Sequence, residues 1–350
     1  MRPVARALVP HGIAPTIIFT DQHLLEPAEF GLEVFPGVGL GCPGRRDPHA
    51  HVGAVTTALL ALLRPAPDLL VVQGDTSSAL GAALAAFTAG VPVAHVEAGL
   101  RTHDPLLPWP EEEYRTAIDA DSKLLFAPTE LAATNLRAED VRGEIHVTGN
   151  TSIDAVLEAA SRLPPRRLKD SGTATILVTC HRRESWSDGL QTIAEAIAEL
   201  AGDGTAHIDV VMPPNAFVAA EMRRLLSGRR GVNLLHPCGH DELLQRMRDA
   251  DLLLSDSGGI QEEAPALGVP LLVLRDKTER PEGIAAGAAH LVGTDTHRIV
   301  AETRRVLDDP LVRSAMSRPV YPFGDGRAAE RIAAIIARWA DERSLTRRLA

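Results

Sequence analysis

Short apolar runs, rich in β-branched residues and leucine, alternate with longer segments of helical periodicity along most of the chain. This alternation predicts buried parallel strands joined by covering helices, which is the α/β class. Five runs predict the strands of a first sheet: 16–20, 69–73, 92–97, 124–128 and 145–148. Six further runs predict a second sheet: 176–179, 208–212, 232–235, 252–255, 271–274 and 290–292.

The two series of strands are separated by a stretch rich in proline and arginine, 163–169, which we interpret as a linker. We therefore predict two Rossmann-like doubly wound domains, 1–163 and 164–326. An amphipathic final helix, 327–350, is expected to pack back on the first domain. Ligands of such sheets bind beyond the carboxyl ends of the strands, so we expect the active site in a cleft that the two domains face.

Composition narrows the function classes. The chain has 350 residues, is 45% hydrophobic and carries a formal net charge of −10, which argues against a nucleic-acid or membrane partner. The sequence contains no stretch of about 18 consecutive apolar residues, so it predicts no membrane helix. The three cysteines have no CxxC spacing, which favours a reducing, cytoplasmic location.

Three short patterns resemble cofactor motifs but lack the context that those motifs need. The GxGxxG-like segment 39–44 contains Pro43 and follows no apolar run, so we interpret it as a loop. His49 and His51 have no further ligands at metal-binding spacing. The HxE at His95 lacks the PCxxC of a zinc deaminase, so we expect neither metal nor cofactor.

A phosphate-binding turn is predicted at 255–263, where an apolar strand ends in Ser-Asp-Ser-Gly-Gly and a helix begins at once. The exposed N–H groups of a helix amino terminus bind anions, so Ser257, Gly258 and Gly259 suit a diphosphate. Glu263, one turn into the helix, can accept both hydroxyls of a ribose. The alternative interpretation is a tight turn with a capped helix.

Basic side chains follow two other predicted strands of the second sheet. His181 and Arg182 come directly after the strand at 176–179, and Arg280 lies in the segment after the strand at 271–274. Arginine matches the geometry of phosphate and carboxylate groups. A solvated basic loop and surface ion pairs remain the alternatives.

The first domain contributes three candidate acids. Asp75 and Glu97 follow predicted strands, and Glu111 follows Pro110 at a predicted helix start. Carboxylates gathered at one site can act as general acid and general base. Asp75 could instead cap the following helix, and Glu111 could simply favour the positive end of the helix dipole.

Seven motifs in this order and spacing resemble those of the UDP-N-acetylglucosamine 2-epimerase family, over about residues 20–327. They are Gln73-Gly-Asp-Thr, His95-Val-Glu-Ala-Gly-Leu-Arg-Thr, Pro108-Trp-Pro-Glu-Glu, Thr148-Gly-Asn, His181-Arg-Arg-Glu, Ser255-Asp-Ser-Gly-Gly-Ile-Gln-Glu-Glu and Arg275-Asp-Lys-Thr-Glu-Arg-Pro-Glu.

The resemblance to the non-hydrolysing members implies a glycosyltransferase-B-like fold, no cofactor, a homodimer, and interconversion of UDP-N-acetylglucosamine with UDP-N-acetylmannosamine. In that reaction UDP is eliminated to leave a 2-acetamidoglucal, and UDP then adds back with inversion at C2. The implied catalytic residues are Asp75, Glu97, Glu111 and His181. The predicted substrate-binding residues are His23, Arg101, Arg182, Ser257, Gly258, Gly259, Glu263 and Arg280.

The chain also departs from the family pattern. Residues 1–8 align within the family's first helix, so we expect the first strand and its Gly-Thr-Arg-Pro-Glu loop to be missing, which would leave strand edges unpaired. Tyr114 stands where asparagine is usual, and 212–215 lacks a histidine. The alternatives are a hydrolysing epimerase, a sugar-nucleotide glycosyltransferase and a non-catalytic UDP-sugar-binding protein.

Overall fold

The computed structural model describes residues 1–22, 26–166, 172–180 and 188–349. The chain divides into two compact units. Unit 1 comprises Met1–Asp154 with Gly324–Ala350, and unit 2 comprises Ala155–Phe323. The predicted linker, 163–169, lies in part outside the described residues, and the boundary between the units falls earlier, at Asp154.

Unit 1 contains six parallel strands, in two separate sheets. Four strands form one sheet in chain order, β3-β4-β5-β6, and β1 pairs with β2 alone. Its strands are β1 (Ile17–Phe19), β2 (Gly37–Gly39), β3 (Leu70–Gln73), β4 (Val93–Val96), β5 (Leu124–Ala127) and β6 (Glu144–Val147). The helices along this part of the chain are α1 (Arg2–Leu8), α2 (Pro48–Leu62), α3 (Ser77–Ala89), α4 (Glu111–Asp121), α5 (Glu130–Ala138) and α6 (Thr151–Ala160).

Two apolar layers cover the faces of the four-stranded sheet. Alternate residues of β3 and β4, among them Val72 and Val93, pack against α2, α3 and α4. Val96 and Phe126 face the other way, where Val4 of α1 lies. Period-two alternation of the side chains therefore supplies both faces with core residues.

Among the described strands, β3 is an edge of its sheet, because only β4 pairs with it. The sequence predicted five strands here, and all five form. Strand β2 was missed, since Gly37–Gly39 contains no apolar run. Close packing requires a glycine at position 37 of β2, because a Cβ on Gly37 would lie 2.9 Å from the Phe19 ring. The segment 39–44 therefore does follow a short strand.

Unit 2 is one six-stranded parallel sheet of order β12-β11-β10-β7-β8-β9. Its strands are β7 (Ala174–Thr179), β8 (Ala206–Val211), β9 (Val232–Leu235), β10 (Leu252–Ser255), β11 (Leu271–Val273) and β12 (Ala289–Leu291). Its helices are α7 (Asp188–Gly202), α8 (Ala216–Leu226), α9 (His240–Asp249), α10 (Gly258–Leu267), α11 (Pro281–Ala285), α12 (Thr296–Asp308) and α13 (Pro310–Met316). The strand order reverses between β7 and β10, which is the arrangement of a doubly wound sheet.

The final helix, α14 (Ala328–Leu349), belongs to unit 1. Ile332 and Ile336 pack with α1 against the face of the sheet that carries Phe126. The carboxylate of Asp154 accepts the N–H groups of Ala328 and Ala329 at 3.1 and 2.8 Å, so it caps the start of α14. Within the described part of the chain, no helix is both long and apolar enough to cross a bilayer. The predicted α/β class with two Rossmann-like sheets is confirmed.

Two glycines of unit 1 test how closely α2 and α3 pack. A Cβ on Gly81 in α3 would lie 2.8 Å from the Val52 carbonyl oxygen and 2.8 Å from Val55 Cβ, whereas one on Gly53 in α2 meets nothing within 4 Å. We expect Gly81→Ala to lower the free energy of unfolding by about 1–3 kcal/mol through overpacking. Gly53→Ala should raise it by about 0.5–1 kcal/mol through helix propensity.

Urea unfolding of both variants checks this prediction. Equal effects of the two alanines would show that helix propensity, rather than close helix packing, governs the stability of this pair.

Candidate active site

Asp75 lies in the turn between β3 and α3, and it does not cap that helix. The N-cap is Thr76, whose Oγ1 accepts the Ala79 N–H at 3.1 Å. Gly74 has φ +68, and its N–H donates to the Val96 carbonyl at 3.1 Å, which joins the turn to the end of β4. The carboxylate of Asp75 is therefore available for another role.

That carboxylate is paired with Arg115, a fully buried side chain of α4. Arg115 donates from Nε and from Nη2 to Asp75 Oδ2, the former at 2.9 Å, and from Nη1 to Glu112 Oε2 at 2.9 Å. Glu112 also accepts the N–H groups of Thr102 and His103, at 3.0 and 2.9 Å. One buried guanidinium thus joins the turn after β3 to the loop that precedes Glu111.

Glu97, directly after β4, has φ +73, a conformation that non-glycine residues rarely adopt. Its N–H and that of Ala98 both donate to the Phe126 carbonyl, at 3.0 and 3.1 Å, which holds the turn in place. Gln73 Nε2 lies 3.5 Å from Glu97 Oε2. A Cβ on Gly74 would lie 3.6 Å from the same oxygen, so the Glu97 carboxylate lies against the turn that carries Asp75. Such strained residues cluster at functional sites.

A second buried network lies beneath the two turns. Asp119 of α4 accepts His95 Nδ1 at 2.6 Å and the Gly99 N–H at 3.1 Å, and it pairs with Arg101 at 2.8 Å. His95 Nε2 lies 3.0 Å from the Gly74 carbonyl oxygen, so the imidazole bridges Asp119 and the turn that carries Asp75. The network therefore fixes the turn of Asp75 relative to the turn of Glu97.

Arg101 completes this network rather than standing open to a ligand. It is buried, and its Nε and Nη2 donate to Glu139 at 2.7 and 2.6 Å while Nη1 donates to the Leu100 carbonyl. The Arg101 guanidinium is thus paired with two carboxylates, Asp119 and Glu139. The assignment of Arg101 to substrate binding stays a prediction.

Burial by itself raises the pKa of the Asp119 carboxyl. The charges and hydrogen bonds of His95 and Arg101 outweigh that effect, so the pKa lies below its usual value. Asp119 is therefore a charged anchor of the fold and not a proton donor near neutral pH.

Glu111 is the first residue of α4, as its position after Pro110 predicted. Its side chain is half-buried. Three acidic residues occupy the first turn of this helix, where the helix dipole favours negative charge. Of these, Glu112 binds backbone N–H groups of the preceding loop, so the neighbouring Glu111 is held at the end of an anchored segment.

In unit 2, the carboxyl ends of β7 and β10 are adjacent at the point where the strand order reverses. Thr179 and Ser255 end these strands, and their hydroxyls lie 2.6 Å apart. Ser257 is the N-cap of α10 and makes no side-chain cap bond, so the first N–H groups of that helix have no capping side chain. This is the geometry in which doubly wound sheets bind phosphate.

The predicted ribose acid, Glu263, is largely buried and accepts His240 Nε2 at 2.9 Å. His240 is the first residue of α9, and sequence reasoning had no ground to select it, because it belongs to no motif. The contact orients one oxygen of Glu263.

Arg280 is held by buried carboxylates. Its Nε donates to Glu262 Oε1 at 2.5 Å and its Nη1 to Glu279. Arg275 pairs with Glu279 at 3.1 Å. Since Glu262 lies in α10, these pairs fasten the loop after β11 to the predicted phosphate helix, and the assignment of Arg280 to substrate binding stays a prediction.

Three predicted site residues, His23, His181 and Arg182, lie outside the described residues. The HxH pair proves to be structural at His51, which is buried between Ser77 Oγ at 2.8 Å and the Cys42 carbonyl at 3.0 Å. Within the described residues, no group of three His, Cys, Asp or Glu side chains could hold a metal ion.

Sequence reasoning missed Arg115 and Asp119. They share one face of α4 with Glu112, at helical spacings of three and four. That spacing was visible, but charged helix faces are usually solvated, so the pattern alone indicated surface.

Comparisons with known proteins agree over nearly the whole chain. A model of the UDP-N-acetylglucosamine 2-epimerase family matches residues 8–337. The UDP-N-acetylglucosamine 2-epimerase of Salmonella typhimurium is 39% identical over 358 residues, covering 95% of this chain and 93% of that protein. The Escherichia coli K12 protein of the same name is 43% identical over 310 residues, covering 82% and 81%. A crystal structure of the Neisseria meningitidis UDP-GlcNAc 2-epimerase bound to UDP-GlcNAc matches with a TM-score of 0.90 at 33% identity, covering 97% of this chain and 96% of that one.

The buried network makes a prediction for Asp119. Asp119→Asn removes the buried negative charge that pairs with Arg101 and contacts His95, so we expect the free energy of unfolding at neutral pH to fall by about 3–5 kcal/mol. Because the folded-state pKa of Asp119 lies below its ordinary value of 3.8, this stabilisation is present above that value. The gap between wild type and variant should therefore narrow as the pH falls below about 4.

Asp121→Asn is the matched control on the same helix, because Asp121 is exposed and its pair with Arg142 spans 3.5 Å. Its effect should stay below about 1 kcal/mol. Chemical denaturation at several pH values measures the free energy of unfolding of both variants. Equally small losses in the two variants would mean that the Asp119 network does not support the fold.

Proposed function

This chain belongs to the UDP-N-acetylglucosamine 2-epimerase family, and on that premise we propose that it is a non-hydrolysing enzyme that interconverts UDP-N-acetylglucosamine and UDP-N-acetylmannosamine. The observation that carries the proposal is the pair of carboxylates, Asp75 and Glu97, on adjacent turns at the ends of β3 and β4. One is anchored by a guanidinium and the other is held by a strained backbone.

The proposed reaction has two stages. A base removes the proton from C2 of the sugar while the bond between C1 and the UDP oxygen breaks, which gives 2-acetamidoglucal and UDP. UDP then adds back to C1, and C2 receives a proton on the opposite face. Because removal and return of the proton occur on opposite faces, the reaction needs more than one acid or base, and Asp75, Glu97 and Glu111 supply such a set.

The UDP part of the substrate binds unit 2 in this proposal. The diphosphate meets the amino terminus of α10 at Ser257, Gly258 and Gly259, where the N-cap side chain makes no competing bond. Glu263, oriented by His240, accepts the ribose hydroxyls. His181 and Arg182 follow β7, the strand that pairs with β10, and in this proposal they contact the diphosphate.

A hydrolysing epimerase would release UDP and free N-acetylmannosamine, so the products test the proposal directly. We expect UDP-N-acetylglucosamine to be converted to an equilibrium mixture with UDP-N-acetylmannosamine and, in D₂O, to incorporate deuterium at C2. Glu97→Gln should lower kcat by at least about 100-fold, because it removes an acid–base group, while calorimetry still detects UDP binding.

Glu113→Gln is the control, since Glu113 is an exposed residue of the same segment of α4. It should retain wild-type turnover. Free UDP formed in proportion to sugar turnover would reject the non-hydrolysing assignment, and an active Glu97→Gln enzyme would remove Glu97 from the chemistry.

The proposed phosphate site predicts that the substitution Gly259→Ala raises the stability of the protein but lowers its affinity for UDP. A Cβ there meets nothing within 4 Å, so Gly259→Ala costs no packing and should stabilise α10 by about 0.5–1 kcal/mol. The added methyl group obstructs close approach of a diphosphate to the helix backbone, so we expect UDP affinity to fall about tenfold or more.

Calorimetric titration with UDP and thermal unfolding measure the two effects. Gly202→Ala, at the carboxyl end of α7 with equally open space, serves as the control and should bind UDP as the wild type does. Unchanged UDP affinity in Gly259→Ala would place the diphosphate elsewhere.

A further inference from the structure

Arg115 is an arginine buried in the interior of unit 1, with a relative exposure of 1%. A buried guanidinium is costly unless its donors meet acceptors of opposite charge. Its Nε and Nη2 both reach Asp75 Oδ2, and its Nη1 reaches Glu112 Oε2 at 2.9 Å. Since the Asp75 and Glu112 carboxylates share the one guanidinium of Arg115, these three side chains together keep a net negative charge.

Arg115 contacts only one of the two carboxylate oxygens of Asp75 in the described hydrogen bonds. Both described hydrogen bonds end on Oδ2, and among the described residues no hydrogen bond to Asp75 Oδ1 is found. The Asp75 side chain is 24% exposed, in contrast to the buried guanidinium that holds it. Asp75 is therefore a carboxylate with one anchored oxygen and one oxygen available to a ligand.

The other arm of Arg115 reaches the segment that leads to Glu111. Glu112 accepts the N–H groups of Thr102 and His103 as well as Arg115 Nη1. Arg115 thus sets the position of Asp75 relative to the start of α4, where a second candidate acid lies.

Among the residues that the structure describes, Arg115 is the cation that contacts Asp75. The neighbouring α3 carries no charged residue. From β4, His95 faces Asp119 and Gly74, and Arg101 is committed to Asp119 and Glu139. Glu97 adds a further negative charge against the same turn.

We propose that Arg115 is a positioning residue for the epimerisation reaction, which holds the Asp75 carboxylate in place through Oδ2 and presents Oδ1 to the sugar. This inference rests on the proposed function. In this proposal Arg115 itself does not contact the sugar and affects the reaction chiefly through Asp75. Without it, Asp75 and Glu112 lose the cation that joins them, and the Asp75 carboxylate is no longer held toward the sugar.

A double-mutant cycle on the full chain tests the proposal, with conversion of UDP-N-acetylglucosamine as the assay. Arg115→Met should lower kcat about 100-fold with KM changed less than about threefold, because the UDP site in unit 2 is untouched. Arg115→Lys, which keeps the charge but loses the fork, should recover at least about tenfold of the lost kcat.

The cycle separates action through Asp75 from general damage. If Arg115 acts through Asp75, then Asp75→Asn combined with Arg115→Met is no slower than Asp75→Asn alone, within about threefold. Losses that multiply, or a lysine variant as slow as the methionine variant, would overturn the inference. If Arg115→Met does not fold, as circular dichroism would reveal, the same cycle with Arg115→Lys decides the question by the same criterion.

Arg142→Met is the matched control, because Arg142 pairs with Asp121 at the other end of α4 and is 85% exposed. It should keep the wild-type kcat, and a comparable loss of kcat in this variant would overturn the specific role of Arg115. A wild-type protein without epimerase activity would instead reject the proposed function, so the two failures are distinguishable.

Discussion

The candidate site of unit 1 depends on the neutralisation of charge inside the domain. Helix α4 directs Glu112, Arg115 and Asp119 into the protein, and each of these side chains is buried. Isolated buried charges would cost several kcal/mol each, so every one needs a partner of opposite sign at hydrogen-bond distance. The partners are the turns and loops that carry the candidate acids, and the need to pair these charges therefore determines where the acids lie.

This dependence explains why the turn at Glu97 persists despite its unfavourable backbone geometry. Glu97 adopts φ +73, and the turn before it places Gly74 at φ +68. Hydrogen bonds from His95 to the Gly74 carbonyl and from Gly99 to Asp119 connect both turns to α4. Strain of this kind is stable only where the surroundings determine the conformation from several sides, as they do here.

Unit 2 uses a different physical principle. Its candidate site is a helix amino terminus at the reversal of strand order, where N–H groups and the helix dipole attract an anion. Arginine has a structural role there, because Arg280 pairs with Glu262 of α10 and with Glu279 in its own loop. In both units, arginines that the motifs suggested for ligand binding are engaged by carboxylates of the protein itself.

The sequence by itself determined the α/β class, the positions of eleven of the strands and the residues at their carboxyl ends, because period-two burial and turn chemistry are local signals. It missed β2, whose Gly-Val-Gly has no apolar run and which forms where Gly37 packs on the Phe19 ring. It also selected Asp75 and Glu97 but not what holds them. A charged face on α4 is typical of a solvated helix, and only the tertiary structure, by bringing that face against the ends of β3 and β4, decided that Arg115 and Asp119 are buried and paired. Pairing between residues about 20 to 40 positions apart in the chain leaves no local pattern, since it depends on which elements become neighbours after folding.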